Sequence, residues 1–83
     1  MITVLRLQRV RTGKTLRQFA RENDLSEVVL CRIERGKQYI SPAAREVLAN
    51  ALGMPVDQIC DEHGWPRFDE TGASGVPQGL GVD

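Results

Sequence analysis

The feature that most constrains this chain is a series of short segments with apolar residues at helical spacing. Each segment begins with a hydroxyl side chain, and most end with a glycine. Such a hydroxyl caps the free N–H groups of a helix, and a following glycine takes the left-handed backbone that ends it. The candidate caps are Thr3, Thr15, Ser26 and Ser41, and the candidate stops are Gly13, Gly36 and Gly53. A further short helix fits residues 55–60. Because no stretch alternates long enough for a strand, the pattern predicts an all-α, compact bundle of about five short helices.

The length and the C-terminal composition predict how the chain is organised. Its 83 residues suffice for one small domain. After Trp65-Pro66 the character changes, and residues 69–83 hold four of the eight glycines and almost no core-forming side chains. We therefore expect a folded domain at residues 1–66 and a disordered, acidic, glycine-rich tail at residues 67–83.

The net charge of zero conceals an uneven distribution. Residues 1–53 carry ten basic and five acidic side chains, whereas residues 54–83 carry one basic and six acidic ones. A basic body with an acidic tail is typical of a domain that meets a polyanion, although ordinary solvated charges would look similar. Charge alone does not separate these two interpretations.

Several classes of protein are disfavoured by what the sequence lacks. No run of about 18 apolar residues predicts a membrane span, and the N-terminus is too charged for a signal peptide, so we expect a cytoplasmic protein. Cys31 and Cys60 lie far apart without metal-ligand spacing, and we expect free thiols, no metal and no cofactor. His63 is the only histidine, and no nucleophile–base arrangement is visible, so an enzyme is not expected.

Residues 5–61 resemble the Cro/cI-type helix-turn-helix family, also called lambda-repressor-like or XRE. The residues that carry the resemblance are Arg9, Gly13, Thr15-Leu16-Arg17-Gln18-Phe19-Ala20, Leu25-Ser26, Leu30, Arg32-Ile33-Glu34-Arg35-Gly36 and Ala49-Asn50-Ala51-Leu52-Gly53. The resemblance implies a lambda-repressor-like DNA-binding domain and a sequence-specific transcriptional regulator, most simply a small repressor. In this family the helix at residues 26–35 would enter the major groove.

The resemblance also implies which side chains meet DNA. The candidate base contacts are Ser26, Glu27, Val28, Cys31 and Arg32. Arg32 offers guanine or the backbone a guanidinium, Glu27 accepts from cytosine N4, and Val28 touches a thymine methyl group. The candidate phosphate contacts are Thr15, Leu16, Arg17, Arg35, Lys37, Gln38 and Tyr39. Many relatives place a glutamine where Leu16 stands, so Thr15 and Arg17 would replace its phosphate contact.

Two further features follow from the resemblance. Glu34 is expected to form an ion pair with Arg9 that holds the first helix against the third, although an exposed Glu34 is the alternative. Dimerisation on a palindromic operator is expected, at least on DNA, because two half-sites are usually read by a twofold dimer. The candidate interface is Met54, Val56, Ile59 and Trp65, with Leu52 beside them. The alternative is that these apolar residues only close the core of the monomer.

The helix expected to read DNA is poor in base-reading groups, which leaves a second function open. Its outward positions include Val28, Val29 and Cys31, and Arg32 alone readily makes a bidentate base contact. An apolar face of this kind would also suit a partner protein, in the manner of an antitoxin or anti-repressor. The basic residues Arg17, Arg32, Arg35 and Lys37 fall on the expected DNA side and favour DNA.

Overall fold

The computed structural model describes residues 2–69, and in this range the chain forms five helices. They are α1 (Val4–Arg11), α2 (Leu16–Glu22), α3 (Glu27–Glu34), α4 (Pro42–Leu52) and α5 (Val56–Ile59). Two isolated antiparallel bridges, Thr3 with Phe68 and Cys60 with Pro66, are the only β pairing within residues 2–69. The predicted all-α class and the five-helix architecture are confirmed. Each helix in this range is too short or too polar to span a bilayer.

Hydroxyl side chains begin the first four helices, as the sequence predicts. The oxygens of Thr3, Thr15, Ser26 and Ser41 accept hydrogen bonds from the N–H groups of Arg6, Gln18, Val29 and Ala44 respectively. Each such cap typically contributes about 1 kcal/mol to stability. The turn between α2 and α3 contains Asp24 at a φ of +57°, a conformation that aspartate tolerates better than most residues. Local sequence signals therefore determine where these helices begin and where the chain turns.

One apolar core joins all five helices. Its members are Leu5, Phe19, Ala20, Leu30, Ile33, Ile40, Leu48, Ile59 and Cys60. Arg45 of α4 supports the loop that follows α3, because its Nε donates to the carbonyl of Ile40 at 2.8 Å. Cys31 and Cys60 are free thiols, and burial raises the pKa of Cys60 above its ordinary value. The core leaves one side of α3 facing outward.

The chain after α5 folds back onto the N-terminal residues. The N–H of Arg67 donates to the carbonyl of Ile59 at 2.9 Å, and the N–H of Val4 donates to the carbonyl of Arg67 at 2.8 Å. The N–H of Asp69 donates to the carbonyl of Ile2 at 2.8 Å. Backbone pairing therefore reaches Asp69, past the boundary that composition placed at residue 66. The rest of the predicted tail, residues 70–83, lies outside the described residues.

The four residues assigned to a dimer interface lie in different environments. Ile59 is 1% exposed and belongs to the core, so its assignment to an interface was wrong: a side chain that closes the monomer core has no surface to offer a second chain. Met54 and Val56 are half-buried against the same core, as is Leu52. Trp65 is exposed. A surface for a second chain would therefore consist of Trp65 and the outer edges of Met54 and Val56.

Candidate nucleic-acid interface

Helices α2 and α3 pack against each other across a tight turn. Ala20 of α2 is buried and belongs to the same core as Leu30 of α3. The N–H of Leu25 donates to the carbonyl of Ala20 at 2.8 Å and closes the turn. Ser26 then caps α3. These contacts hold α3 at a fixed angle to α2, which is the arrangement of a helix-turn-helix.

The two sides of α3 differ in polarity and burial. Leu30 and Ile33 are buried in the core. On the opposite side, Glu27, Val28 and Arg32 are exposed, and Val28 has 61% of its surface open to solvent. Val28 and Arg32 are four residues apart and therefore share one face of α3, and the exposed Glu27 precedes Val28 in the first turn.

The candidate base contacts lie on this outer surface. Ser26, Glu27, Val28 and Arg32 are exposed, and Cys31 is half-buried beside them. Val29 is half-buried and packs against the core, so it is less available to a partner than Val28. The described surface therefore offers one guanidinium, one carboxylate and one large apolar side chain.

A buried ion pair fixes the C-terminal end of α3. The Nε of Arg9 lies 2.6 Å from Oε2 of Glu34, and Nη2 of Arg9 lies 3.0 Å from Oε1. The two residues are 9% and 5% exposed. Nη1 of Arg9 also donates to the carbonyl of Lys14 at 2.8 Å. The ion pair expected from the resemblance is present, and it connects α1, the loop before α2 and α3.

Two other contacts hold the same end of α3. The hydroxyl of Thr3, which is fully buried, donates to the backbone carbonyl of Glu34 at 2.8 Å. The ring of Phe68 covers Gly36, where an added Cβ would lie 2.5 Å from the ring Cζ. Gly36 also has a φ of +73°, a backbone conformation that favours glycine, and a side chain there would force the Phe68 ring to shift. The N-terminal and C-terminal segments thus clamp the end of α3.

The candidate phosphate contacts before α3 are of two kinds. The hydroxyl of Thr15 caps α2 by accepting from the N–H of Gln18, and the half-buried side chain of Leu16 packs against the core. Only the backbone amide of Leu16 is therefore suited to a phosphate. Arg17 is exposed, and its Nε lies 3.6 Å from Oε1 of Glu27. This exposed pair links the first turn of α2 to the first turn of α3, and the sequence did not indicate it.

The candidate phosphate contacts after α3 form a second group. Arg35, Lys37 and Tyr39 are exposed, and Gln38 is half-buried. The N–H of Lys37 donates to the carbonyl of Arg32 at 2.9 Å, which fixes the loop against the end of the helix. The two basic side chains therefore stand close to the exposed face of α3.

Tyr39 and Trp65, to which the sequence assigned different roles, are in contact. Their rings meet edge to face with centroids 6.3 Å apart, and both residues are about half exposed. Tyr39 was expected to bind phosphate and Trp65 to bind a second chain. No local signal could have revealed this contact, because the two residues are far apart in the sequence.

Comparison with known proteins identifies the class of domain. The family model described as helix-turn-helix domain matches residues 3–59, a range that contains all five helices. The chain therefore belongs to the helix-turn-helix domain family, whose fold is that of DNA-binding domains. Comparisons with curated proteins and with solved structures gave no match.

Proposed function

We propose that this protein is a sequence-specific transcriptional regulator of the Cro/cI (XRE) type, a small repressor that reads the major groove with the helix at residues 26–35. The observation that carries the proposal is the exposed face of α3, which presents Arg32 and is followed by Arg35 and Lys37. A guanidinium makes bidentate contacts to guanine, and the basic residues beside it bind the phosphate backbone.

Electrostatics favours a polyanion at this face. Residues 1–53, which include the helix-turn-helix, carry the excess of basic side chains. Arg32, Arg35 and Lys37 take part in no side-chain ion pair within residues 2–69, so their charges are available to phosphate. Neutralising phosphates releases counterions, which makes binding depend steeply on salt. The base contacts in this proposal are Ser26, Glu27, Val28, Cys31 and Arg32.

The same proposal includes a twofold dimer on a palindromic operator, because such domains usually read two half-sites. The exposed Trp65 with the outer edges of Met54 and Val56 is the surface we assign to the second chain. We keep residues 1–66 as the helix-turn-helix domain and propose that residues 67–69, which pair with the N-terminal segment, fold with it. We place the protein in the cytoplasm, where a bacterial operator would be found.

A protein partner is the second candidate for the same face. Val28 is highly exposed, and the half-buried Val29 and Cys31 lie close to it. Apolar side chains of this kind contribute little hydrogen bonding to base edges and suit an apolar partner surface. Val28→Asp tests the protein-contact function, because it should abolish capture of a protein partner and leave the fold intact.

A selection from random duplex DNA tests the proposal. Purified protein is mixed with the pool at low and at physiological salt, and the retained duplexes are sequenced. An enriched palindromic motif would support the repressor and give the half-site spacing. Retention at low salt without an enriched motif would contradict sequence-specific reading and turn attention to Val28, Val29 and Cys31.

A charge-matched pair of variants controls for electrostatics. Lys37→Ala should weaken binding to all sequences alike and lower the salt slope. Arg6→Ala removes an equal charge from an exposed position of α1 that belongs to none of the proposed contacts. If both variants bind with equal loss, the effect comes from net charge rather than from a defined interface.

A further inference from the structure

The exposed ion pair between Arg17 and Glu27 suggests different roles for these two residues in base recognition at the N-terminal end of α3. Glu27 occupies the first position of α3, and Arg17 lies in the first turn of α2. Their closest charged atoms, Nε and Oε1, are 3.6 Å apart. The guanidinium of Arg17 therefore stands beside the end of α3 that enters the groove in our proposed function.

This pair does little for the stability of the domain. The side chains of Arg17 and Glu27 are 74% and 48% exposed, and ion pairs in water contribute little to folding. The contacts that hold α2 against α3 are those of Ala20 and Leu25, which are independent of the pair. Any role of the Arg17–Glu27 contact should thus lie in DNA binding rather than in folding stability.

The geometry leaves the hydrogen-bonding edge of Arg17 available. Its Nε is the nitrogen closest to Glu27, and within residues 2–69 its terminal nitrogens have no hydrogen-bond partner. Those two nitrogens form the planar fork that matches two acceptors at once, such as O6 and N7 of guanine. A guanidinium approached from its Nε side thus keeps its recognition edge.

Charge complementarity explains why a carboxylate stands at this position. A free carboxylate in the first turn of α3 is favoured by the helix dipole but is repelled by the phosphates of DNA. A neighbouring guanidinium offsets that repulsion. Glu27 paired with Arg17 therefore enters the groove at a smaller electrostatic cost than Glu27 alone.

We propose that Glu27 is a positioning residue that holds Arg17 at the N-terminal end of α3, and that Arg17, rather than Glu27, reads a guanine there. This inference rests on the proposed function and changes the roles of two of its residues. The outward face of α3, poor in base-reading groups of its own, gains a second guanidinium from α2. Arg32 and Arg17 then read two positions of one half-site.

The test is a double-variant cycle on the duplex that the wild-type protein selects. Arg17→Lys keeps the charge but removes the fork, and Glu27→Gln removes the carboxylate. Glu22→Gln is the matched control, because Glu22 is a similarly exposed carboxylate on α2 that pairs with Lys14 instead. Circular dichroism and thermal unfolding verify that all variants fold as the wild type does.

The proposal predicts non-additive losses. Arg17→Lys should lower affinity for the selected duplex about tenfold and erase the preference for guanine at one position. Glu27→Gln should lower affinity about threefold, at that same position, in the wild-type background. In the Arg17→Lys background Glu27→Gln should have no further cost, and Glu22→Gln should leave the motif unchanged.

Three results would overturn the inference while leaving DNA binding in place. An intact motif in Arg17→Lys would make Arg17 a phosphate contact only. Equal losses from Glu27→Gln in both backgrounds would show that Glu27 acts independently, for example on cytosine. If Glu27→Gln and Glu22→Gln changed the affinity for the duplex equally, Glu27 would act only through the net charge of the protein. If the wild type selects no motif at all, the proposed function fails and this inference fails with it.

Discussion

The two ends of α3 each carry a glutamate that faces an arginine from an earlier helix, and the two pairs differ in their surroundings. Glu34 at the C-terminal end is buried with Arg9 and receives two hydrogen bonds, at 2.6 and 3.0 Å. Glu27 at the N-terminal end lies in solvent, 3.6 Å from Arg17. The same two residue types therefore serve two different purposes in one eight-residue helix.

Burial decides which purpose each pair serves. Removing one partner from a buried pair leaves an uncompensated charge in a medium of low polarity, whereas water compensates an exposed charge. The helix dipole adds to the contrast, because it favours a carboxylate at the N-terminus and opposes one at the C-terminus. Glu34 is thus stabilised by Arg9 alone, and the pair is structural.

The largest expected effect comes from the buried pair. Glu34→Ala should lower the free energy of unfolding by about 3–5 kcal/mol, because it leaves Arg9 buried without its partner. Glu27→Ala, the same substitution at the other end of α3, should change it by less than about 1 kcal/mol. Urea titration followed by circular dichroism measures both. Similar values for the two variants would contradict the assignment of separate roles.

The second prediction concerns the hydroxyl that holds the same buried end. Thr3→Val keeps the shape of the side chain but removes its hydrogen bond to the carbonyl of Glu34 and its cap on α1. We expect a loss of about 2–3 kcal/mol in unfolding free energy. Thr12→Val, at an exposed position whose hydroxyl bonds within its own turn, is the control. A loss at Thr3 no larger than at Thr12 would refute the clamp.

The exposed face should respond in binding rather than in stability. Arg32→Ala should cost about 1–3 kcal/mol on the selected duplex and relax the preference at one base position. Its melting temperature should stay close to that of the wild type, since Arg32 is exposed. Fluorescence anisotropy with selected and scrambled duplexes measures the ratio of affinities. An unchanged ratio would remove Arg32 from the reading surface.

The two free thiols give a chemical comparison of the same two regions. Cys31 is half-buried on the outer side of α3, and Cys60 is buried with a raised pKa. Because the thiolate is the reactive form, iodoacetamide should modify Cys31 first, and bound DNA should slow that reaction. Mass spectrometry of the peptides identifies the site. Faster modification of Cys60 would contradict its burial in the core. No protection of Cys31 by DNA would contradict its place on the DNA-binding side of α3.

The smallest expected effect on stability comes from Asp61, whose carboxylate accepts hydrogen bonds from backbone N–H groups rather than from an arginine. The N–H groups of Trp65 and His63 donate to Asp61, and the bond from Trp65 contributes most to lowering the pKa of Asp61 below 3.8. Since its pKa is lowered in the folded chain, its stabilisation is present at neutral pH and is lost as the pH falls through that lowered value. Titration by NMR should show this; a pKa at or above 3.8 would contradict it.

The local signals of the sequence predict the fold well and the site in part. Caps such as Ser26 act on amides three residues away, so the sequence shows them directly. The Arg9–Glu34 pair followed from resemblance rather than from spacing. Helix α5 has only four residues, too few for the spacing of apolar residues to show which side is buried. Ile59 was therefore assigned to the wrong surface.

The contacts that the sequence did not predict join residues that are distant along the chain. Arg17 with Glu27, Tyr39 with Trp65, and Phe68 with Gly36 each depend on how the helices pack. No periodicity or capping rule connects such residues. The composition of residues 67–69 likewise gave no sign that their backbone pairs with the N-terminal segment.

The most direct test of the central claim is a map of the amides that respond to DNA. The ¹⁵N-labelled protein is titrated with the selected duplex at physiological salt, and the change in each amide resonance is recorded. We predict that the largest changes fall at residues 15–17, 26–32 and 35–39 and saturate together. Changes centred on residues 54–66, or changes that never saturate, would contradict the claim that the outer face of α3 reads DNA.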